Sequence, residues 1–208
     1  MNRPPATSRR QRYRAEARRT ILDATEALLL DGGYEGFSMR RLARRCGTSA
    51  PTIYHYFGDK QGLLDALLEE RLRRLVAQLK RARCDADPVD EVRALALAFV
   101  RFGLRNPAHH GLLMLPRDPT LAPLAAGEKA RALLEAPLER LAEAGRLRVD
   151  DARAAGQSLW ALLHGVISLR TTRPDHDWAP KLVENGIDAL IRGLVSEAAP
   201  ACDGRGRR

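Results

Sequence analysis

The sequence predicts an all-α fold of about nine helices, a small N-terminal unit followed by a larger helical domain. Three observations carry that expectation. Apolar residues recur at spacings of three and four along most of the chain, without the period-two alternation of strands and without an internal repeat. Serine or aspartate stands where the early helices should begin, and glycine or proline where they should stop. Charge divides the chain: residues 1–83 hold 18 Lys+Arg against 9 Asp+Glu, whereas residues 84–208 hold 17 of each, so the whole excess of +9 lies in the first two fifths.

Residues 1–13 are rich in Arg, Pro, Ser and Thr without apolar periodicity, and read as a flexible basic arm. A first helix is expected from Arg14, striped by Ala17, Ile21, Leu22, Thr25, Leu28 and Leu29. Gly32-Gly33 ends it, since glycine takes the left-handed conformation a helix C-cap needs. Tyr34 and Phe37 anchor a short connection. Ser38 then caps a short second helix, Met39 to Cys46, with Leu42 and Ala43 inward. Gly47-Thr48-Ser49 turns the chain, and Ser49 caps a third helix, Ala50 to Tyr56, with Pro51 in its first turn. Asp59 caps a long fourth helix whose stripe runs from Leu63 to Leu79, and the pattern breaks between Cys84 and Pro88.

Further helices are expected from Pro88 to Arg105 and, after Asn106-Pro107, from Pro107 to Leu115. A loop bearing Pro116, Pro119 and Pro123 leads to a helix ending near Gly145 and kinked at Pro137. The last two helices run from Asp150-Asp151 to Thr171 and from Ala179 to Ser196, and Pro200 to Arg208 read as a disordered basic tail. The organisation expected is an arm over 1–13, a three-helix unit over 14–60, a linking helix over 61–83, a second domain over 84–198 and a tail over 199–208.

Composition excludes several classes. A hydrophobic content of 45% suits a chain with a buried core, and no apolar run approaches the ~20 residues of a membrane span. The N-terminus lacks the apolar segment of a secretory signal. Cys46, Cys84 and Cys202 are too sparse for a disulfide framework or a zinc site. A cytoplasmic protein with no metal, cofactor or membrane partner is expected. The localised positive charge marks a surface for a polyanion, and charge alone admits either nucleic acid or an acidic membrane.

Spacing chooses between them. Two short helices joined by a glycine-containing turn, with a preceding helix across them, form a helix-turn-helix arrangement. In the third helix Ile53 and Phe57 face inward, leaving Thr52, His55 and Tyr56 outward. Hydroxyls and aromatics at those positions suit thymine methyls and phosphates in a major groove better than they suit water. Here the residues Arg19-Thr20-Ile21-Leu22, Gly33-Tyr34-x-x-Phe37-Ser38-Met39-Arg40-x-Leu42-Ala43, Cys46-Gly47-Thr48-Ser49 and Thr52-Ile53-Tyr54-His55-Tyr56-Phe57-x-Asp59-Lys60-x-x-Leu63-Leu64 resemble the TetR/AcrR family of bacterial regulators, over about Arg14 to Leu68.

The resemblance implies double-stranded DNA as partner and assigns roles residue by residue. Ser38 would bond a phosphate, and Arg40 would reach a phosphate or a guanine edge. Thr48 and Ser49 would enter the groove, Pro51 and Thr52 would touch base edges or methyls, and Tyr54, His55 and Tyr56 would bind phosphates and flanking bases. For Tyr54 a second reading stands, a ring mostly in the core with only its hydroxyl at the backbone. Lys60 would add its charge to the start of the fourth helix at a phosphate.

The later stretches Phe99-Val100-Arg101-Phe102-x-Leu104-x-Asn106-Pro107 and Leu159-Trp160-x-x-x-His164-Gly165-Val166-Ile167 resemble the C-terminal subgroup of that family named for its Trp-His-Gly element. That likeness implies a homodimer formed through the last two helices and a small-molecule effector cavity. Leu162, Val166, Leu169, Val183, Ile187, Leu190, Ile191 and Leu194 exceed the apolar surface one seam needs. Phe99, Phe102, Leu113, Met114, Trp160 and His164 are the expected pocket lining, for an uncharged, hydrophobic or aromatic effector. His164 also reads as a satisfied core or seam histidine, and His109-His110 as a pocket mouth near Met114. The implied function is a repressor released from a palindromic operator by a small molecule. An activator, or a regulator controlled by a protein partner, shares the same DNA chemistry; an enzyme has no nucleophile–base spacing to support it.

Overall fold

The computed structural model describes residues 9–83, 87–114, 121–149 and 151–196. Expectations that fall on residues 1–8, Cys84, Leu115, Pro116, Pro119, Asp150 and the tail, Cys202 included, lie outside the described residues.

Among the described residues there are nine helices: α1 (Arg9–Gly32), α2 (Met39–Arg45), α3 (Ala50–Phe57), α4 (Lys60–Ala82), α5 (Pro88–Arg105), α6 (Pro107–Leu113), α7 (Ala125–Glu143), α8 (Ala152–Thr172) and α9 (Leu182–Leu194). The caps explain the boundaries. Ser38 Oγ accepts from Arg41 N–H, Ser49 Oγ from Thr52 N–H, Asp59 from Gly62 N–H, Asp87 from Val89 N–H and Asp151 from Ala154 N–H. Gly33, at φ 64°, turns the chain out of α1. One antiparallel bridge, Leu147 to Val195, joins the α7–α8 connection to the end of α9, with Arg148 N–H and Ser196 N–H each donating across it at 2.8 Å.

One expectation is corrected. Residues 9–13 are not part of a flexible arm, because α1 begins at Arg9 rather than Arg14. Arg and Gln are good helix formers, and a solvated helix needs no apolar stripe to reveal it. No described residue before Ile21 is buried, so α1 starts as a solvated, arginine-rich extension and becomes a packed helix only from its middle.

Packing crosses the boundaries expected at 60 and 84. One apolar cluster runs from Ile21 to Leu194 without a break. α4 buries Leu63, Leu64, Leu67, Leu68, Leu72, Leu75, Val76 and Leu79, each worth about 1.5–3 kcal/mol on transfer from water. It packs against α1 and α3, against α5 and α6, and most extensively against α7. The helix expected to link the two units is thus the common core of both.

Ion pairs fix the outer helices on this spine. The carboxylate of Glu91, 1% exposed, is gripped by Arg83 and Arg140. Burial pushes its pKa up, but the two guanidiniums outweigh that and hold it below the usual carboxylate range. Arg93 binds Asp188 through two nitrogens, at 2.6 and 3.1 Å, tying α5 to α9. Glu69 of α4 accepts the Ala126 N–H at 3.1 Å, satisfying a free donor at the start of α7.

Candidate nucleic-acid interface

The helix pair α2–α3 is held from inside by Phe37, Leu42, Ala43 and Ile53, all buried. Its far end is locked by glycines. Gly58 closes α3 at φ 82°, its N–H donating to Tyr54 O at 2.7 Å. A Cβ on Gly62 would stand 2.2 Å from Phe57 O, so only glycine allows the first turn of α4 to approach the end of α3 so closely. The outer surface of α3 is therefore presented on a rigid mount.

Ser38, Arg40, Ser49, Pro51, Thr52, Tyr54 and His55 are exposed on that surface, and Thr48, Tyr56 and Lys60 are half-buried. The hydroxyls of Ser49 and Thr52 lie 2.8 Å apart, so Ser49 is engaged as cap and as Thr52's neighbour at once. Arg41 is turned back to Gly36 O at 3.1 Å and Arg45 lies 3.6 Å from Asp31, whereas Arg40 has no ion-pair partner among the described residues. Lys60 Nζ sits over the Tyr34 ring at 4.2 Å and the Phe37 ring at 5.5 Å, which fixes its charge beside the start of α4.

The two tyrosines of α3 differ in exposure: Tyr54 is exposed, as its first reading has it, and Tyr56, expected outward, is half-buried. Tyr54 is 42% exposed, so its ring is not core. Tyr56 packs against the core, edge-on to His55 at 6.0 Å and under the Arg14 guanidinium at 5.9 Å. At about 100° per residue, Tyr56 lies roughly 60° from the inward Ile53 and Tyr54 about 100° from it. Arg18 lies over the Phe57 ring at 5.2 Å, so arginines of α1 brace the rings of α3. Periodicity carried no signal for this bracing, since the α1 extension has no buried face.

In the larger domain, Phe99, Phe102 and Leu113 come together around a cavity of only about 20 Å³. Met114 and Trp160 are exposed away from it, 44% and 54% respectively. His164 is buried with Nδ1 3.2 Å from Nε2 of His110, one ring nitrogen donating to the other. Burial, then the neighbouring His110, pushes its pKa down to about 4, and burial lowers that of His110. His109 and His110 are both buried and line the same small cavity as Phe99. His109 Nε2 contacts Glu26 of α1, which also contacts the guanidinium of Arg71, a side chain 3% exposed on α4. Asp23 and Glu70 approach the same guanidinium at 3.3 and 3.4 Å. Burial lowers the His109 pKa, with Arg71 and Arg74 adding to that and Glu26 opposing it. The chain of contacts Trp160–His164–His110, and beside it His109–Glu26–Arg71, runs from α8 through α6 to α1 and α4. No three His, Cys, Asp or Glu among the described residues are placed to hold a metal ion.

Comparison with known proteins gives the same division. Residues 21–67 match the family model described as bacterial regulatory proteins, tetR family, and residues 92–194 match one described as tetracyclin repressor-like, C-terminal domain. The second match is to that description and does not single out the Trp-His-Gly subgroup. A BetI transcriptional regulator of Stenotrophomonas maltophilia is 36% identical over 80 residues, 38% of this chain and 41% of the relative. That of Cronobacter sakazakii is 41% identical over 81 residues, 38% of this chain and 40% of the relative. The chain thus spans about two fifths of these curated relatives. Among solved structures, a protein with unknown function from Rhodococcus sp. RHA1 superposes at TM-score 0.72 with 31% identity, over 86% of this chain and 95% of that one. The regulator PfmR of Thermus thermophilus superposes at TM-score 0.66 with 27% identity, over 92% of this chain and 100% of that one.

Proposed function

The chain belongs to the TetR family of bacterial transcriptional regulators, and from that premise we propose that it is a homodimeric, cytoplasmic repressor released from a palindromic operator by a small-molecule effector. The observation that carries the reading is the capped, rigidly mounted α3, which turns Pro51, Thr52, Tyr54 and His55 outward while Arg40 and Lys60 flank it with charge. A polar helix face of eight residues fits a major groove, with phosphate contacts positioning it and base contacts specifying sequence.

Two-fold pairing supplies the second half-site. Ile187, Ile191 and Leu194 are spent inside the protomer, but Leu162, Val166, Val183 and Leu190 are half-buried and Leu169 is 49% exposed. These residues of α8 and α9 form the apolar surface that a second copy covers. Effector binding shifts the dimer toward an arrangement whose half-site spacing misfits the operator. The contacts of Arg71, Glu26 and His109 support transmission through α6 and α4, because they bind the DNA-reading unit to the larger domain.

Selection of duplexes from a randomised pool, followed by footprinting, tests the reading: a protected palindrome with half-sites about one helical turn apart, or a multiple of it, is expected. On that duplex Arg40→Ala or Thr52→Ala costs about 1–3 kcal/mol more than on random DNA, while Lys60→Ala weakens both and lowers the salt slope by about one. Equal losses on both duplexes remove Arg40 and Thr52 from base readout.

A further inference from the structure

We propose that the effector site lies in the groove between α7 and α8, and that its occupant is a net-neutral aromatic molecule stacked on Trp160. The inference rests on the effector-controlled reading above and moves the site away from the small cavity at Phe99. The groove encloses about 400 Å³, within the range of small-molecule sites, against about 20 Å³ at Phe99. Leu134 and Leu138 of α7 and Leu159 and Leu163 of α8 make it apolar, and the indole of Trp160, 54% exposed, offers an open ring face at its edge. Gly156 keeps the α8 wall back: a Cβ there would stand 3.5 Å from the Glu135 side chain, and anything longer fills the groove.

Charge narrows the occupant. The lining carries Arg131 and Arg153 against Glu135 and Glu139, and Arg131 is already held by Glu128 at 2.9 Å and Glu135 at 2.5 Å. The lining therefore carries no net formal charge and favours neither sign of ligand, and an apolar floor favours a neutral one over an ion that must shed its hydration. Arg153, Glu139 and Gln157 are exposed at its rim and can bond neutral polar groups on a flat ring. Trp160 also has a route inward. Its ring lies 4.5 Å from that of His164, which bonds His110, and His109 beside it holds Glu26 of α1. A molecule stacked on the indole thus bears, through His164, on the element that touches the DNA-binding unit.

The test uses the full chain carrying Trp178→Phe, which leaves Trp160 as its one tryptophan, and the uncharged fluorophore N-phenyl-1-naphthylamine. Saturable quenching of Trp160 with energy transfer to the probe is expected. Gly156→Leu should lower probe affinity about tenfold or more at unchanged melting temperature and unchanged operator binding. Trp160→Ala, at an exposed position where folding is safe, should lower probe affinity as well, read by the probe's own emission. Probe affinity unaltered in both variants overturns the site. So does Trp160 emission that ignores the probe and shifts with protein concentration, which would put a second copy over the groove. Probe held in the groove without any loss of operator binding supports the site and counts against release through it.

Discussion

Replacing Arg71 with methionine should destabilise the protein by about 3 kcal/mol at pH 8. The guanidinium is 3% exposed and is shared by Glu26, Glu70 and Asp23, whose side chains are 23%, 25% and 51% exposed. Removing one member of a buried pair costs about 3–5 kcal/mol, because the other charge is left without compensation. Glu26 keeps its contact with His109 and a quarter of its surface, which places the loss at the low end; Asp23, half exposed, adds only a surface-pair increment of about 0–1 kcal/mol. Glu26→Gln should cost about 2 kcal/mol, since Asp23 and Glu70 still face Arg71.

The double variant should be less damaged than the sum by about 1 kcal/mol or more, because no charge is stranded in it. Urea unfolding at fixed protein concentration measures all three. Proton linkage gives a further signature: Arg71 helps to hold the His109 pKa down, so without it His109 takes up a proton more readily and restores a cation beside Glu26. The Arg71→Met loss should accordingly shrink between pH 8 and pH 5. A loss below about 1 kcal/mol at pH 8, or strict additivity in the double variant, would refute the buried-cluster argument.

Three other outcomes follow from the same geometry. His164 titrates near 4 in the folded chain and near 6.5 when unfolded, so its contribution is present in full above pH 6.5 and is lost as pH falls toward 4, by up to about 3 kcal/mol; His164→Asn should flatten the melting temperature over that window. Gly103→Ala would put a Cβ 2.4 Å from Ile167 Cδ1 and should cost about 1–3 kcal/mol in unfolding free energy, a loss that Ile167→Val should partly recover. Changing Arg9, Arg10 and Arg12 to Gln leaves the α3 surface intact and should lower the salt slope of DNA binding by up to about 2.7, with no change in the preferred sequence if the α1 extension meets only phosphates.

What the sequence makes legible follows from where local physics decides. Ser38, Ser49, Asp59 and Asp151 place helix starts because a cap bond is a contact within three residues, and all four caps form. The apolar stripes of α4, α5 and α9 declare their buried faces for the same reason. The solvated start of α1 is invisible to periodicity, since nothing there is buried. The burial of Arg71, Glu91 and His109 is equally invisible: each looks like a surface residue until a partner 45, 49 or 83 positions away is brought to it.

The exposed face of α3 lies between these extremes. Its inner residue, Ile53, fixes the rotation of an eight-residue helix, and that rotation decides which tyrosine meets solvent. Aromatic content alone points to Tyr54 and Tyr56 equally, and only the angle measured from Ile53 separates them. The groove between α7 and α8 has no such local rule. The groove exists because Leu134 and Leu138 of α7 meet Leu159, Leu163 and the small Gly156 of α8 across the α7–α8 connection. A pocket is a space between elements, and a residue list from one helix at a time names its walls without finding the gap.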